Sequence, residues 1–115
     1  MVADRADALA VMASPILNTD RRRIIALAAR HRLPAIYEWR GSAEEGGLMA
    51  YGASNRDLYR RVATFVDRIF KGANPTTMPV EQPTKFELVI NIKTAKALGL
   101  TIPPSLLQRA DQVIE

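Results

Sequence analysis

Residues 34–52 read PAIYEWRGSAEEGGLMAYG and contain two short apolar runs, PAIY (Pro34 to Tyr37) and LMAY (Leu48 to Tyr51). Each run has the length and composition of a buried β-strand, and a turn of glycine, serine and acidic residues separates them. Both runs stop at polar, aromatic or glycine residues. Because ligands of open α/β sheets bind outside the carboxyl ends of the strands, these ends predict a binding site. The residues expected to contact a ligand there are Glu38, Trp39, Tyr51 and Gly52.

The segment before this stretch predicts a strand followed by a helix. ALAVMA (Ala8 to Ala13) is apolar throughout, which is typical of a strand buried on both faces of a parallel sheet. SPILN then predicts a loop, and Asn18 or Thr19 is expected to cap a helix that ends near His31. The apolar face expected for this helix contains Ile24, Leu27, Ala28 and His31.

A long helix is the clearest signal after residue 52. SNRDLYRRVATFVDRIFKG has Ser54 or Asn55 as its N-cap and Gly72 as its end. The apolar residues recur on one stripe, as on a helix face that is buried in a protein core. They are Leu58, Val62, Phe65, Val66, Ile69 and Phe70.

The last third of the chain predicts an extended connection and then three short elements. NPTTMPVEQPT holds three prolines and cannot form a helix interior. FELVIN (Phe86 to Asn91) predicts a strand, KTAKALGL a helix that stops at Gly99, and Pro103 to Glu115 a final helix. Together the elements predict one α/β domain over residues 1–115, with a mostly parallel sheet between layers of helices.

Composition and single residues argue against catalysis. The chain has no cysteine, which excludes disulfides, thiolate catalysis and cysteine-based zinc sites. His31 lies among arginines at a helix end, and Ser14 has neither a second histidine nor a nucleophile-elbow motif. The glycines follow no phosphate-binding pattern. We therefore expect no enzyme activity, no metal and no cofactor.

The charge of the chain and the carboxylate of Glu38 bear on what the chain binds. A net charge of +4 permits weak attraction to polyanions, but no basic motif with interleaved aromatics appears, so we expect no nucleic-acid partner. No apolar run reaches the roughly 20 residues needed to cross a bilayer. Glu38 is either paired at the edge of the sheet or directed at a ligand, where it would receive an ammonium group.

Several blocks of the chain resemble the carboxyl-terminal part of the ABC-transporter substrate-binding proteins of the tryptophan/tyrosine type. They read LPAIYEWR, GGLMAYG, DLYRRVATFVDRIFKGANP and PVEQPTKFELVINIKTAKALGLTIPPSLL. The resemblance extends from RADALAVMA to ADQVIE. It implies a type I periplasmic-binding-protein fold, in which two α/β lobes joined by three crossovers close on a small ligand such as an amino acid. It also implies delivery of that ligand to a membrane permease.

Transferred by position, the resemblance implies ligand contacts at the strand ends already singled out and in the loop before them. The implied set is Ser14, Pro15, Asn18, Glu38, Trp39, Tyr51, Gly52 and Asp57. Family members are longer, with an export signal and a first lobe, so this chain is expected to supply one lobe, with a crossover and tail in residues 80–115. Half a cleft buries less of a ligand and should bind it weakly.

Three further expectations follow from that incomplete match. With one lobe, the apolar faces of FELVIN and of the final helix would be uncovered, which predicts a homodimer. The alternative function is a stand-alone dimerising or regulatory domain without a ligand, from a truncated reading frame. The family is periplasmic, whereas the amino end MVADRADALAVMA has no export signal, so the chain as given is expected in the cytoplasm.

Overall fold

A computed structural model describes residues 6–115, which form two compact units. The first unit contains the described residues up to Gly52 together with Glu87–Glu115, and the second is Ala53–Phe86. The strands are β1 (Leu9–Val11), β2 (Ala35–Tyr37), β3 (Met49–Ala53), β4 (Phe86–Asn91) and β5 (Gln112–Ile114). The α-helices are α1 (Pro15–Thr19), α2 (Arg21–Arg30), α3 (Arg40–Glu44), α4 (Asn55–Phe70), α5 (Ile92–Leu98) and α6 (Pro104–Leu107). A 3₁₀ turn at Pro75–Thr77 interrupts the connection after α4.

The five strands form one sheet in the order β1-β2-β3-β4-β5. β1 and β2, β2 and β3, and β4 and β5 pair in parallel. β4 runs opposite to β3, because the Asn91 N–H at the end of β4 donates to Leu48 O just before the start of β3 at 2.8 Å. The predicted α/β fold with a mostly parallel sheet is confirmed.

The middle of the sheet supplies the core of the first unit. Val89 and Ile90 of β4 are the largest side chains that are fully buried. Val89 belongs to one core cluster with Ala35, Ala43 and Ala50, which are each at most 3% exposed. The predicted strand FELVIN is therefore confirmed, but the expectation that its apolar face is uncovered is wrong.

The end of the chain is a strand rather than the predicted helix from Pro103 to Glu115. Pro103 does precede a helix, but α6 stops at Leu107. Asp111 and Leu88 exchange two hydrogen bonds of 2.8 Å each. The Asp111 N–H donates to Leu88 O, and the Leu88 N–H donates to Asp111 Oδ2. These bonds place Gln112–Ile114 beside β4. Val113 and Ile114 are β-branched, and such residues favour a strand over a helix.

Four expectations for the amino-terminal part are corrected. β1 is an edge strand that pairs with β2 alone among the described residues, so it is half-exposed rather than buried on both faces. SPILN is not a loop, because Pro15 opens the short helix α1. Asp20, rather than Asn18 or Thr19, occupies the N-cap of α2. The buried face of α2 contains Ile25 and Ala28, whereas Leu27 is 45% exposed.

The long helix α4 lies in the second unit and has the predicted limits, with Ser54 at its N-cap and Gly72 just past its end. None of its residues is buried within the part of the chain that the structure describes, so the expectation of a buried stripe is wrong for this chain. None of the helices in residues 6–115 has the length and apolar character that crossing a membrane requires.

Asn91 joins the end of β4 to two helices of the first unit. Its Nδ2 donates to Ala43 O at 2.9 Å, and its Oδ1 accepts from the Thr94 N–H at the start of α5 at 3.0 Å. Asn91 is 5% exposed and Ala43 is 0% exposed, so no solvent replaces these bonds. We expect Asn91→Ala to lower the free energy of unfolding by about 2–3 kcal/mol, measured by urea denaturation.

The matched control is Asn74→Ala. Asn74 also caps a turn, since its Oδ1 accepts from the Thr76 N–H at 3.0 Å, but this bond is exposed to water. The control should cost about 0.5–1 kcal/mol. Equal losses for the two variants would contradict the importance given to burial of the Asn91 bonds.

Candidate ligand-binding site

The carboxyl ends of β1 and β2 lie side by side. Val11 is paired in register with Tyr37, so the residues that follow the two strands are neighbours. The Ala13 N–H donates to Glu38 Oε2 at 2.8 Å, which joins the two strand ends directly. Glu38 is half-buried, and its Oε2 is the oxygen that accepts this bond. One oxygen of Glu38 is therefore paired at the sheet edge, as one of the two open interpretations expected.

Gly52 comes into close contact with Glu38 from β3. A Cβ on Gly52 would overlap the Glu38 carbonyl oxygen and lie 2.8 Å from Glu38 Cγ. Contacts this short exclude any side chain at position 52. Gly52 therefore lets the backbone of β3 approach Glu38 closely.

Trp39 follows Glu38 and has a buried polar atom without a partner. Its backbone occupies the N-cap of α3, where Trp39 O accepts from the Ser42 N–H at 2.9 Å. Its indole Nε1 is buried and has no hydrogen-bond partner within residues 6–115. A buried N–H left unpaired costs about 1–3 kcal/mol, so this group is suited to a water or a ligand acceptor.

A small pocket lies among these strand ends within the first unit. Its lining includes three of the predicted site residues, Asn18, Glu38 and Trp39. The remaining lining residues are Val11, Met12, Leu17, Arg21, Tyr37 and Ser42. With a volume of about 10 Å³ it holds at most about one water molecule, so a larger ligand would lie across its mouth.

The loop and helix after β1 supply the other predicted contacts. Ser14 is the N-cap of α1, and its carbonyl accepts from the Asn18 N–H at 2.8 Å, which fixes the helix at the strand end. Pro15 begins α1 and is exposed. Beside them, Met12 is 70% and Ile16 is 74% exposed. Sequence reasoning did not single out these two as site residues, and it placed Met12 inside the predicted strand Ala8 to Ala13, whereas β1 ends at Val11.

Tyr51 and Asp57 have different surroundings from Glu38. Tyr51, in β3, is 54% exposed. Asp57 belongs to the second unit, where its Oδ2 accepts from Arg61 Nε at 3.1 Å, one turn along α4. Asp57 is thus engaged in an ion pair within its own helix, whereas Ser14, Asn18, Glu38, Trp39 and Gly52 all belong to the first unit.

Arg21 is the cation that lines the pocket, and its side chain is already engaged. It donates to Glu45 Oε1 from Nη2 at 2.6 Å and from Nε at 3.2 Å, and to Asn18 O from Nη1 at 3.1 Å. These bonds hold α2 against the end of α3. The charge left to meet a ligand in the pocket is therefore the carboxylate of Glu38.

The hydrogen bond from Arg21, together with a weaker one from Arg22, holds the pKa of the Glu45 carboxyl below its ordinary value. The pKa of Glu45 is therefore lower in the folded chain than in the unfolded chain. The interaction of Arg21 with Glu45 stabilises the fold fully at a pH above the unfolded pKa, and this stabilisation is lost as the pH falls through the folded pKa. We expect Arg21→Ala to raise the Glu45 pKa, followed by NMR titration of the side-chain carboxyl carbon. An unchanged midpoint would contradict the assignment.

The polar and aromatic residues of this chain lie outside the carboxyl ends of parallel strands. This position is typical of the ligand site in α/β binding domains. The family model described as ABC transporter substrate binding protein matches residues 1–114. The chain belongs to this family of substrate-binding components of transport systems. No curated protein matches it.

Solved structures share the fold over almost the whole chain. A conserved domain protein from Vibrio cholerae is 24% identical with a TM-score of 0.91, and 97% of this chain matches 38% of that one. An ABC domain from Streptococcus pneumonia in complex with L-Trp is 28% identical with a TM-score of 0.91, and 98% of this chain matches 38% of that one. A third similar structure is the ligand-free, open structure of CD0873, a substrate-binding protein with adhesive properties from Clostridium difficile. It is 22% identical with a TM-score of 0.67, and 96% of this chain matches 37% of that one. The chain thus spans about 38% of the length of the first two.

Proposed function

We propose that this chain is one lobe of the substrate-binding component of an ABC importer and that it contacts a small molecule, such as an amino acid, at the ends of β1, β2 and β3. The observation that carries the proposal is that two successive residues at the end of β2 both line the small pocket: Glu38, with its carboxylate, and Trp39, with an indole N–H that has no partner within residues 6–115. The family match supports a solute-binding role. The 28% identical relative in complex with L-Trp supports an amino acid as the ligand.

The two groups are complementary to the two ends of an amino acid. The Glu38 carboxylate accepts hydrogen bonds from an ammonium group, and such charge-assisted bonds are about twice as strong as neutral ones. The Trp39 Nε1–H is buried, and the pocket has room for about one water, so this group donates to a water that bridges to a carboxylate or carbonyl oxygen of the ligand. Met12, which lines the same pocket and is 70% exposed, offers apolar surface beside them to an aromatic or aliphatic side chain.

The affinity of this lobe by itself should be low. Ligand pockets bury about 70–90% of a ligand's surface, and the pocket here has room for about one water molecule. The chain matches about 38% of its longer relatives, whose remaining length would supply a second lobe to close over the ligand. In that complete form the protein would act in the periplasm and pass its ligand to a permease.

Calorimetry on the chain with single L-amino acids tests the proposal. We expect weak binding of one class of amino acid, with Glu38→Gln weakening it by about tenfold or more, since hydrogen bonds to charged groups contribute about 1.5–3 kcal/mol. The control is Glu44→Gln, which removes a carboxylate from α3 that is paired with Arg40 at 2.7 Å. Equal binding by both variants would contradict the role of Glu38.

A second candidate function is a dimerising module without a ligand of its own. The observation in its favour is the set of exposed apolar side chains on α4, which includes Val62, Val66, Ile69 and Phe70. This candidate predicts no heat of binding with any amino acid, whereas the first predicts a response that depends on Glu38.

A further inference from the structure

Two charged residues line the small pocket at the strand ends within residues 6–115, Glu38 and Arg21. The remaining lining residues are apolar, aromatic or neutral polar ones, so these two side chains decide which charge a ligand meets there. Glu38 accepts the Ala13 N–H at 2.8 Å, and because this donor is neutral, the bond leaves the negative charge of the carboxylate uncompensated. What the pocket selects therefore depends on the state of Arg21.

Glu45 binds Arg21 from outside the pocket. It follows α3 directly, and it is not among the residues that line the pocket. Arg21 donates to Glu45 Oε1 from Nη2 at 2.6 Å and from Nε at 3.2 Å, while its Nη1 donates to Asn18 O at 3.1 Å. Each nitrogen of the Arg21 guanidinium thus has an acceptor in the fold, and two of the three bonds go to one carboxylate.

Glu45 carries its negative charge at neutral pH. The hydrogen bonds from Arg21 and Arg22 hold the pKa of its carboxyl below the ordinary value, so the group is ionised. Arg22 Nε lies 3.2 Å from Glu45 Oε2, but the Arg22 side chain is 82% exposed and water screens its charge. The side chains of Arg21 and Glu45 are 31% and 26% exposed, so Glu45 offsets mainly the charge of Arg21.

Arg40 and Glu44 form a similar ion pair within α3. Arg40 Nε donates to Glu44 Oε1 at 2.7 Å, and neither residue lines the pocket. A change of charge at Glu44 therefore alters a pair of the same kind at the same helix end, and it leaves the pair of Arg21 and Glu45 intact. Glu44 thus provides a matched control for Glu45.

We propose that Glu45 sets the charge selectivity of this pocket: by neutralising Arg21 it leaves Glu38 as the charge that a ligand meets, so the lobe selects primary ammonium compounds over carboxylic acids. The inference rests on the proposed function and names the substrate class of the same site. An ammonium group gains charge-assisted hydrogen bonds to Glu38. A carboxylate is repelled by Glu38 and finds no uncompensated cation among the described lining residues.

Matched sets of compounds test this selectivity, each titrated while the amide signal of Ala13 is followed in ¹⁵N–¹H spectra. L-phenylalanine and L-leucine carry both charged groups. Phenethylamine and isoamylamine are the same molecules without the carboxylate, and hydrocinnamate and isocaproate are the same molecules without the ammonium group. We expect each amine to bind at least about tenfold more tightly than the acid of its set, because hydrogen bonds to charged groups are the strong ones.

The outcomes of these titrations separate this inference from the proposed function. An amine that binds no more tightly than its acid, while the parent amino acid binds, would overturn the inference and leave the proposed function standing. No response to any of the compounds would contradict the ligand site itself and this inference with it.

Glu45→Gln tests the role of Glu45 directly. The glutamine still offers Arg21 an oxygen acceptor, but it leaves the positive charge of Arg21 uncompensated beside the pocket. We expect the acids to bind at least about threefold more tightly and the amines more weakly, since a partly exposed ion pair changes an affinity by a few fold. A purely structural role of Glu45 would instead weaken both classes of compound alike.

Glu44→Gln is the control and should leave the ratio of amine to acid affinity unchanged. Urea denaturation of both variants checks that the fold is retained. Equal ratios in Glu45→Gln and Glu44→Gln, or a loss of affinity for both classes of compound in Glu45→Gln, would overturn the proposal.

Discussion

Gly47→Ala is expected to destabilise the fold strongly, because the added methyl group would collide with two buried neighbours. A Cβ at this position would lie 2.7 Å from Ser42 O and 2.7 Å from Tyr37 Cε2. Neither neighbour can move away, because Ser42 is 2% and Tyr37 is 3% exposed. Overpacking of this kind costs about 1–3 kcal/mol, and the Gly47 N–H bond to Ser42 O at 2.8 Å would be strained as well.

Urea denaturation followed by circular dichroism measures this effect, and we expect a loss of about 2–4 kcal/mol in the free energy of unfolding. The matched control is Gly41→Ala, because a Cβ at Gly41 meets nothing within 4 Å and the residue lies in α3. Alanine is the better helix former, so the control should be neutral or stabilising by up to about 1 kcal/mol. A loss of the same size in both variants would show that the crowding at Gly47 is not the cause.

Gly52→Ala is expected to disturb the ligand site and the sheet together. The added methyl would overlap the Glu38 carbonyl oxygen and approach Glu38 Cγ to 2.8 Å, so the end of β3 must move away from β2. We expect a loss of about 1–3 kcal/mol in stability. We also expect weaker amino-acid binding, although Glu38 itself is unchanged.

Two measurements separate the effects of Gly52→Ala. Denaturation reports the stability, and the amide resonance of Ala13 reports the hydrogen bond to Glu38 Oε2 that now measures 2.8 Å. The Ala13 amide should shift in Gly52→Ala and stay in place in Gly41→Ala. An undisturbed Ala13 amide together with normal binding would refute the role of Gly52 in positioning the carboxylate.

The sequence predicted the strands and helices whose apolar patterns are long or sharply bounded. Strand β2 was located because Pro34 precedes its apolar run, and β4 because Pro83 precedes FELVIN. Helix α4 was located because its apolar residues recur at helical spacing up to Gly72. Helix α5 ended at Gly99 as expected, since this residue has the left-handed conformation that glycine tolerates.

Other elements depend on tertiary contacts that a local pattern does not contain. β5 exists because Asp111 pairs with Leu88, which is 23 residues away. The half-exposed state of β1 follows from its place at the edge of the sheet, which an apolar run does not reveal. The periodicity of α4 predicted a buried stripe, but none of its residues is buried within the described part of the chain, because a local pattern does not state which elements pack against a helix.

The candidate site was located by one rule, that ligands lie beyond the ends of parallel strands. This rule selected Glu38, Trp39 and Gly52, and the structure adds the bond between Ala13 and Glu38 and the unpaired indole N–H of Trp39. Asp57 was predicted from the family resemblance alone, and in the structure it forms an ion pair with Arg61 within α4. The interaction of Arg21 with Glu45 was not foreseen, because it joins residues 24 apart.

The resonance of the Trp39 indole N–H tests the central claim most directly. Trp39 is the only tryptophan, so the chain gives a single indole signal in a ¹⁵N–¹H spectrum, and weak ligands can be titrated to high concentration. We expect one class of L-amino acid to shift this signal in a saturable way, and Glu38→Gln to reduce the shift while Glu44→Gln preserves it. An indole signal that no amino acid moves, in a chain whose spectrum shows it to be folded, would contradict a ligand site at these strand ends.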